Sequence, residues 1–482
     1  MTSTEHTMIV SGIEIPSLNL PDDNCLSAEN QTLSHSPSEP WIFAPIAVTI
    51  QKMTMKKPPQ LHETNETKTA FFFQTLLPFL AAGLGLIAAG LLLEKAETMR
   101  FFTTIPDVVT LVPTLLGLKG NLEMTLGSRL STLANLGFMD TGSQKFSVAV
   151  SNLALIQCQA IMVSSLSVLP AALFGEKQFN VHDFTCLLLS TVATAAIAAF
   201  LLGTIMILVV IISKKYKINP DNIVTPVAAT LGDVVTLGIL LLVGTFFLDI
   251  RHDYLWLLLF LLFVFYVIAG LSAYRASQDQ FTTEVLRHGW WAVFAAMLIT
   301  LGSGFVLKSS MHKYPPIAAF QPLVNGVGGN LVGVQASRIS TGLHRARKNK
   351  SKETSSLWVH ASCWHAFVQN NEDSITSRIL IAISVPGNFL FITIIFLIGC
   401  GFDNNVPFTV LFLLVGLIQV IFLLYLCQFL VRAMWKMRID PDNSAIPILT
   451  AIGDLIGATL LITSFTILVN YFKMDIPTVD NH

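Results

Sequence analysis

Eleven apolar runs, each long enough to cross a hydrocarbon core of about 30 Å, follow one another along this chain. They lie near 72–93, 106–131, 146–172, 184–212, 223–248, 254–273, 289–308, 316–342, 376–400, 406–431 and 444–470. Runs of this length fold as membrane-spanning helices, so the expected class is an all-α polytopic membrane protein. Composition agrees, with 53% hydrophobic and 12% charged residues and a mean hydropathy of +0.64. Soluble domains carry about 25% charged residues. A net charge of −1 gives no sign of a nucleic-acid partner. Cys25, Cys158, Cys186, Cys363, Cys400 and Cys427 are scattered and form no CxxC or disulfide framework.

Residues 1–70 differ from the rest. They are rich in Ser, Thr, Pro, Asn and Glu without a sustained apolar period, and read as a disordered tail able to take regulatory proteins. Ser36-Pro37 offers a phosphorylation dipeptide there, and the tail lacks the pattern of a signal peptide. Basic residues set the orientation. One set of connections carries seventeen Lys and Arg, including Lys214, Lys215 and Lys217, the Arg338-to-Lys352 cluster, and Arg432, Lys436 and Arg438; the alternate set carries seven. The first set is expected in the cytoplasm with the N-terminus, which leaves the C-terminus outside.

Two of the apolar runs contain an acid. Asn219-Pro220-Asp221-Asn222 opens a helix holding Asp233, and Asp440-Pro441-Asp442-Asn443 opens one holding Asp454. An ionisable group at mid-membrane costs about 2.5–3.5 kcal/mol on insertion scales and marks a functional site until shown otherwise. The opening Pro-Asp-Asn is most economically a helix cap, with Asp221 or Asp442 taking free N–H groups.

The acids belong to a repeat. PTLLGLKGNLEMTLGSRLST (113–132) returns as PLVNGVGGNLVGVQASRIST (322–341) at an offset of 209, pairing Gly117 with Gly326, Gly120 with Gly329, Asn121 with Asn330 and Arg129 with Arg338. The Asp233 and Asp454 segments match at an offset of 221, and AAGLGLIAAG at 81–90 corresponds to AAMLITLGSG at 295–304. The expected organisation is a tail (1–70), a five-helix repeat (71–250), a linker helix with its connection (251–285), a second repeat (286–472) and an external tail (473–482). Five spans is odd, so the linker helix restores a parallel arrangement, and the single chain makes a pseudo-dimeric unit.

Depth arithmetic brings the motifs together. Asp233 and Asp454 lie roughly 16 Å into their helices, and Asn121 roughly 12 Å back from the end of helix two at Arg129, at 1.5 Å per residue. Oxygen donors from helices two and five of both halves can then meet in one axial cavity, lined also by Gly117, Gly120, Gly326 and Gly329. With no His or Cys at matching depth, the donor set suits a hard cation such as Mg²⁺ that keeps part of its water. Lys119 and Glu123 stand opposite Gly328 and Val332 of the second half. Either they neutralise each other four residues apart on one face, or Glu123 joins the cation path and Lys119 tunes it. Arg129 and Arg338 read as interfacial anchors. His360, Cys363 and His365, without a fourth ligand or a repeat, give little reason to read a zinc site.

With these motifs quoted, the chain resembles the solute carrier family 41 of magnesium transporters, whose membrane unit is similar to that of bacterial MgtE-type channels. The resemblance covers about 72–472. It implies that Asp233 and Asp454 hold the cation, with Asn121 and Asn330 and also Glu123 lining the path. It further implies Mg²⁺ as transported substrate among divalent cations, Na⁺ as coupling ion, efflux by Na⁺/Mg²⁺ exchange, a plasma membrane location and lipid as the surrounding partner. No segment corresponds to the bacterial channels' cytoplasmic magnesium-sensing domains. A passive divalent-cation channel uses the same site; an intramembrane hydrolase or a non-transporting receptor is a more distant reading.

The orientation carries its own test. Asn30, Asn65 and Asn349 sit in glycosylation sequons that the expected topology keeps cytoplasmic. Glycosidase treatment of the protein from eukaryotic cells should leave its gel mobility unchanged, and a mobility shift at any of the three reverses the assignment.

Overall fold

The computed structural model describes residues 8–10, 13–15, 67–174, 180–348, 362–398 and 405–473. Two three-residue strands, Met8–Val10 and Ile13–Ile15, pair antiparallel near the N-terminus. All other regular structure among the described residues is helical. The rest of the tail, with Asn30, Ser36 and Asn65, lies outside them, as do Asn349, His360 and the last nine residues.

Eleven long helices follow in order: α1 Lys68–Ala96, α2 Asp107–Asn135, α3 Gly142–Phe174, α4 Val181–Lys215, α5 Pro220–Ile250, α6 Leu255–Ala276, α7 Trp290–Lys313, α8 Ile317–Lys348, α9 Glu372–Ile398, α10 Val406–Lys436 and α11 Pro441–Phe472. Ten are long and apolar enough to cross a membrane. The exception is α2, which carries Asp107, Lys119, Glu123 and Arg129 within 29 residues and is buried by its neighbours along most of its length. Its polar groups face protein rather than lipid, which makes a helix of this composition tolerable at that depth.

Local chemistry sets the helix ends alike in both halves. Lys217 and Arg438 adopt left-handed backbone (φ 59° and 62°) just past α4 and α10. The following amides, of Ile218 and Ile439, reach back to the carbonyls of Ser213 and Met434, each at 2.9 Å, which closes the helix end. Proline then starts α5 and α11, capped by Asn219 and Asp440, whose side chains accept from the amides of Asp221 and Asp442 at 3.2 Å. The cap is therefore the first residue of each Asn/Asp-Pro-Asp-Asn motif. Asp221 and Asp442, expected to cap, point elsewhere.

The halves interlock. Helix α1 packs on α5 of its own half and on α8 of the other, while α7 packs on α11 and on α2. Glycine permits both crossings: a Cβ on Gly90 would collide with the Ala319 carbonyl, and one on Gly304 would lie 2.7 Å from the Thr110 carbonyl. Phe320, Phe408, Phe412 and Phe465, all buried, pack as one aromatic cluster. Helix α6 packs against α3 and α4 at the periphery and keeps Trp256, Phe260 and Phe263 exposed, as suits a lipid-facing segment. Cys158, Cys186 and Cys427 are free and buried.

The crossings can be tested by size. Gly304→Val should destabilise the purified protein by about 1–3 kcal/mol through overpacking, read as a lowered thermal unfolding temperature. Gly270→Ala on α6, where a Cβ meets open space, should change it little.

Candidate cation site

Asp233 stands thirteen residues into the 31-residue α5, and Asp454 thirteen into the 32-residue α11, about 20 Å from each helix start. Asn121 is the middle residue of α2. Together with α7 and α8 these helices enclose a cavity of about 70 Å³, room for about two waters at roughly 30 Å³ each. Asp233, Asp454, Asn121, Asn330, Glu123, Gly117, Gly120, Gly326 and Gly329 all line it. So do Thr300, Ser303, Gln321, Asn325 and Thr450, which the sequence reading did not single out.

The two aspartates are half-buried and face this space with no side-chain hydrogen bond among the described residues. Around them, Thr450 Oγ1 donates to Asn121 Oδ1, tying the second half to the first. Both polar atoms of Asn330, the Asn121 amide nitrogen, Asn325 Oδ1 and Glu123 Oε2 are buried without a hydrogen-bond partner among the described residues. Unsatisfied buried groups in such number are what an ion or waters would satisfy. At Gly117 the wall approaches an acid, since a Cβ there would lie 3.0 Å from Asp454 Oδ2 and 2.5 Å from the Thr300 methyl.

Lys119 does not line the cavity. It stands behind the wall with its Nζ 3.0 Å from Glu123 Oε1, donating to the Gly232 carbonyl at 2.9 Å, one residue before Asp233. In the second half the corresponding carbonyl, of Gly453, accepts from Gln419 Nε2 on α10 at 2.9 Å. The same anchor is thus built from different helices: Lys119 on α2 with Ala198 on α4 in the first half, Gly328 on α8 with Gln419 on α10 in the second. A Cβ on Gly328 would meet Gln419 at 2.9 Å, so each arrangement requires a small residue opposite the long one.

Towards the end that carries Lys214–Lys217 and Arg432–Arg438, the axis is closed. Ser128 and Ser337 pair across α2 and α8 at 3.0 Å, and Thr132 and Thr341 at 3.1 Å, all buried. Asp442 accepts from Ser128 at 2.8 Å, and Asp221 accepts from Ser131 and, at 2.9 Å, from Ser337. Arg129 and Arg338 are not interfacial anchors. Arg129 is buried, donating to Asn152 at 2.6 Å and Asn443 at 2.7 Å, and Arg338 donates to Asn222 at 2.7 Å and lies over the Phe71 ring. Both brace one half against the other, which sequence spacing alone did not distinguish from snorkelling. Beside this layer, Glu284 on the short helix Gln280–His288 has its carboxyl pushed up to about 7 by burial and by the charge of Asp440. Of the residues weighed for zinc, Cys363 and His365 lie on the short helix Cys363–Phe367, where His365 sits beside Asn371.

A family model described as MgtE, divalent cation transporter, matches residues 112–243 and 321–464. Solute carrier family 41 member 3 of Mus musculus is 39% identical over 87% of this chain and 87% of its own length. Member 2 of Xenopus laevis is 38% identical over 84% of this chain and 73% of its own length, and member 2 of Homo sapiens 36% identical over 83% and 71%. The chain belongs to the MgtE divalent cation transporters. It is an integral membrane protein of a transporter family and not an enzyme, which removes the hydrolase reading. The two MgtE matches take in one mid-helix pair each, Asn121 with Asp233 and Asn330 with Asp454.

The Lys119–Glu123 pair, 5% and 1% exposed, allows a stability test. Lys119→Met leaves a buried carboxylate without its partner and should cost about 3–5 kcal/mol in thermal unfolding. Adding Glu123→Leu should recover most of that loss, since a buried ion pair replaced whole by apolar groups of similar volume is close to neutral.

Proposed function

We propose that this protein carries Mg²⁺ across the plasma membrane in exchange for Na⁺, moving it out of the cell, with the basic end of the helices in the cytoplasm. The observation that carries the reading is the pair of aspartates, Asp233 and Asp454, facing one small cavity half-way along their helices, where the polar side chains of the wall are carboxylates, amides and hydroxyls. In this reading the two carboxylates bind the ion directly or through its water, and Asn121, Asn330 and Glu123 complete the shell. Mg²⁺ holds near-octahedral oxygen at about 2.0–2.1 Å and gives up water reluctantly, which suits two acids, neutral amides and room for a little water. Two carboxylates and a divalent ion also cancel in charge, so the loaded site is far less costly at that depth than the empty one. The two halves act as parallel repeats about a common axis, as their twofold sequence match suggests.

Flux in proteoliposomes tests it, with Mg²⁺ on one side and Na⁺ present or absent on the other. Asp233→Asn and Asp454→Asn should each lower Mg²⁺ flux at least tenfold, and removing the Na⁺ gradient should stop net movement against the Mg²⁺ gradient. Full flux in both variants rejects the site, and flux that follows only voltage and the Mg²⁺ gradient makes the protein a channel.

A further inference from the structure

At the basic end, two of three matching positions in the two halves hold different chemistry. In the first half Asn135, Asn219 and Asp221 satisfy one another: the Asn135 amide donates to Asn219 Oδ1 at 3.3 Å and to Asp221 Oδ2 at 3.1 Å. At the 209 and 221 offsets these positions become His344, Asp440 and Asp442. An amide donor has become an imidazole, and a neutral amide has become a second acid. Nothing in the axial cavity uses these groups.

In the structure they converge. One ligand atom from each lies within 4.8 Å of the other two. His344 Nε2 stands 3.5 Å from Asp440 Oδ1 and 4.0 Å from Asp442 Oδ2, and this buried nitrogen has no closer hydrogen-bonding partner among the described residues. The ring packs edge-on against Trp435 on α10, with centroids 4.8 Å apart, which keeps the nitrogen turned towards the acids. A buried ring nitrogen held between two carboxylates, at distances longer than a good hydrogen bond, offers three donor atoms to a single cation.

We propose that His344, Asp440 and Asp442 form a second divalent-cation site, separate from the axial cavity, for a transition-metal ion of the Mn²⁺, Co²⁺ or Zn²⁺ class. Imidazole nitrogen selects this class over Mg²⁺, which takes oxygen. Metal–ligand bonds of about 2.0–2.2 Å place neighbouring donors about 3 Å apart and opposite donors about 4.2 Å apart. The observed 3.5, 4.0 and at most 4.8 Å therefore close onto an ion with shifts of well under an ångström per donor. Asp442 gives its other oxygen to Ser128 in the closed layer of the axis, so a bound ion braces that layer shut.

The site is independent of the Mg²⁺ reading, and the test keeps the two apart. The full-length protein in detergent is titrated with Co²⁺, followed by visible absorption and by metal content after equilibrium dialysis. Two variants install the residues of the first half: His344→Asn, and Asp440→Asn, which keeps a helix cap because Asn219 already serves as one. Each should lose one Co²⁺ equivalent, or weaken it at least tenfold, with its thermal unfolding temperature in the absence of metal unchanged. The Asp233→Asn, Asp454→Asn double variant should keep that equivalent. Co²⁺ binding unchanged from the wild type in either single variant overturns the proposal, whatever becomes of Mg²⁺ flux.

Discussion

Two carboxylates face one small cavity half-way along their helices, and among the described residues neither has an ion-pair partner. Burying an unpaired charge is costly, and burying two of like sign close together more so. The rest of the bundle is arranged around that constraint. The nearest cation, Lys119, is committed to Glu123 and to the Gly232 carbonyl, behind the wall. Thr450 engages Asn121, and Ser303 donates to the backbone carbonyl of Asp454 at 3.1 Å rather than to its side chain. These donors are spent on something other than the two acids, while the amide nitrogens of Asn121 and Asn330 have no partner among the described residues.

The carbonyls before the two acids show how closely position matters. Gly232 and Gly453 are both held, one by a lysine from α2 and one by a glutamine from α10. A carbonyl in a long helix normally accepts from the amide four residues on, so a second donor from a neighbouring helix pins the backbone where each aspartate leaves it. The requirement is the same in both halves, while the charge used to meet it is not. The first half carries an ammonium–carboxylate pair next to the cavity. The second has Gln321 and Asn325 in the cavity wall, where the first has Val112 and Leu116. The cavity is thus asymmetric in polarity although its two acids match.

Much of this was legible in the sequence because membrane-spanning segments announce themselves by length, and residues that recur at a fixed offset stand out from their neighbours. The eleven runs correspond to the eleven long helices, and the acids, asparagines and glycines read from the repeat all line the cavity. What the sequence hid were the residues of α7, Thr300 and Ser303, and those of α8, Gln321 and Asn325. They have no polar counterpart in the other half, so a search for matching polar pairs passes over them. Arg129 and Arg338 were hidden for a different reason. An arginine near a helix end reads the same whether it reaches lipid headgroups or a buried asparagine, and only the crossing of the halves decides which. The Pro-Asp-Asn motifs read correctly as caps, but the capping residue is the one before the proline, which frees Asp221 and Asp442 for the closed layer.

That freedom ties the closed layer to the cavity. Asp221 and Asp233 share α5, twelve residues or about 18 Å apart, and Asp442 and Asp454 share α11 in the same way. Asp221 holds serines of both α2 and α8, so α5 cannot shift at the basic end without breaking a bond to each half. Pro226 and Pro447 lie between the two acids of each helix, where proline has no amide hydrogen to give to the helix ladder. Each helix is thus held by hydrogen bonds at its basic end and carries its second acid beyond a proline. Opening the closed layer would require breaking these hydrogen bonds between the halves.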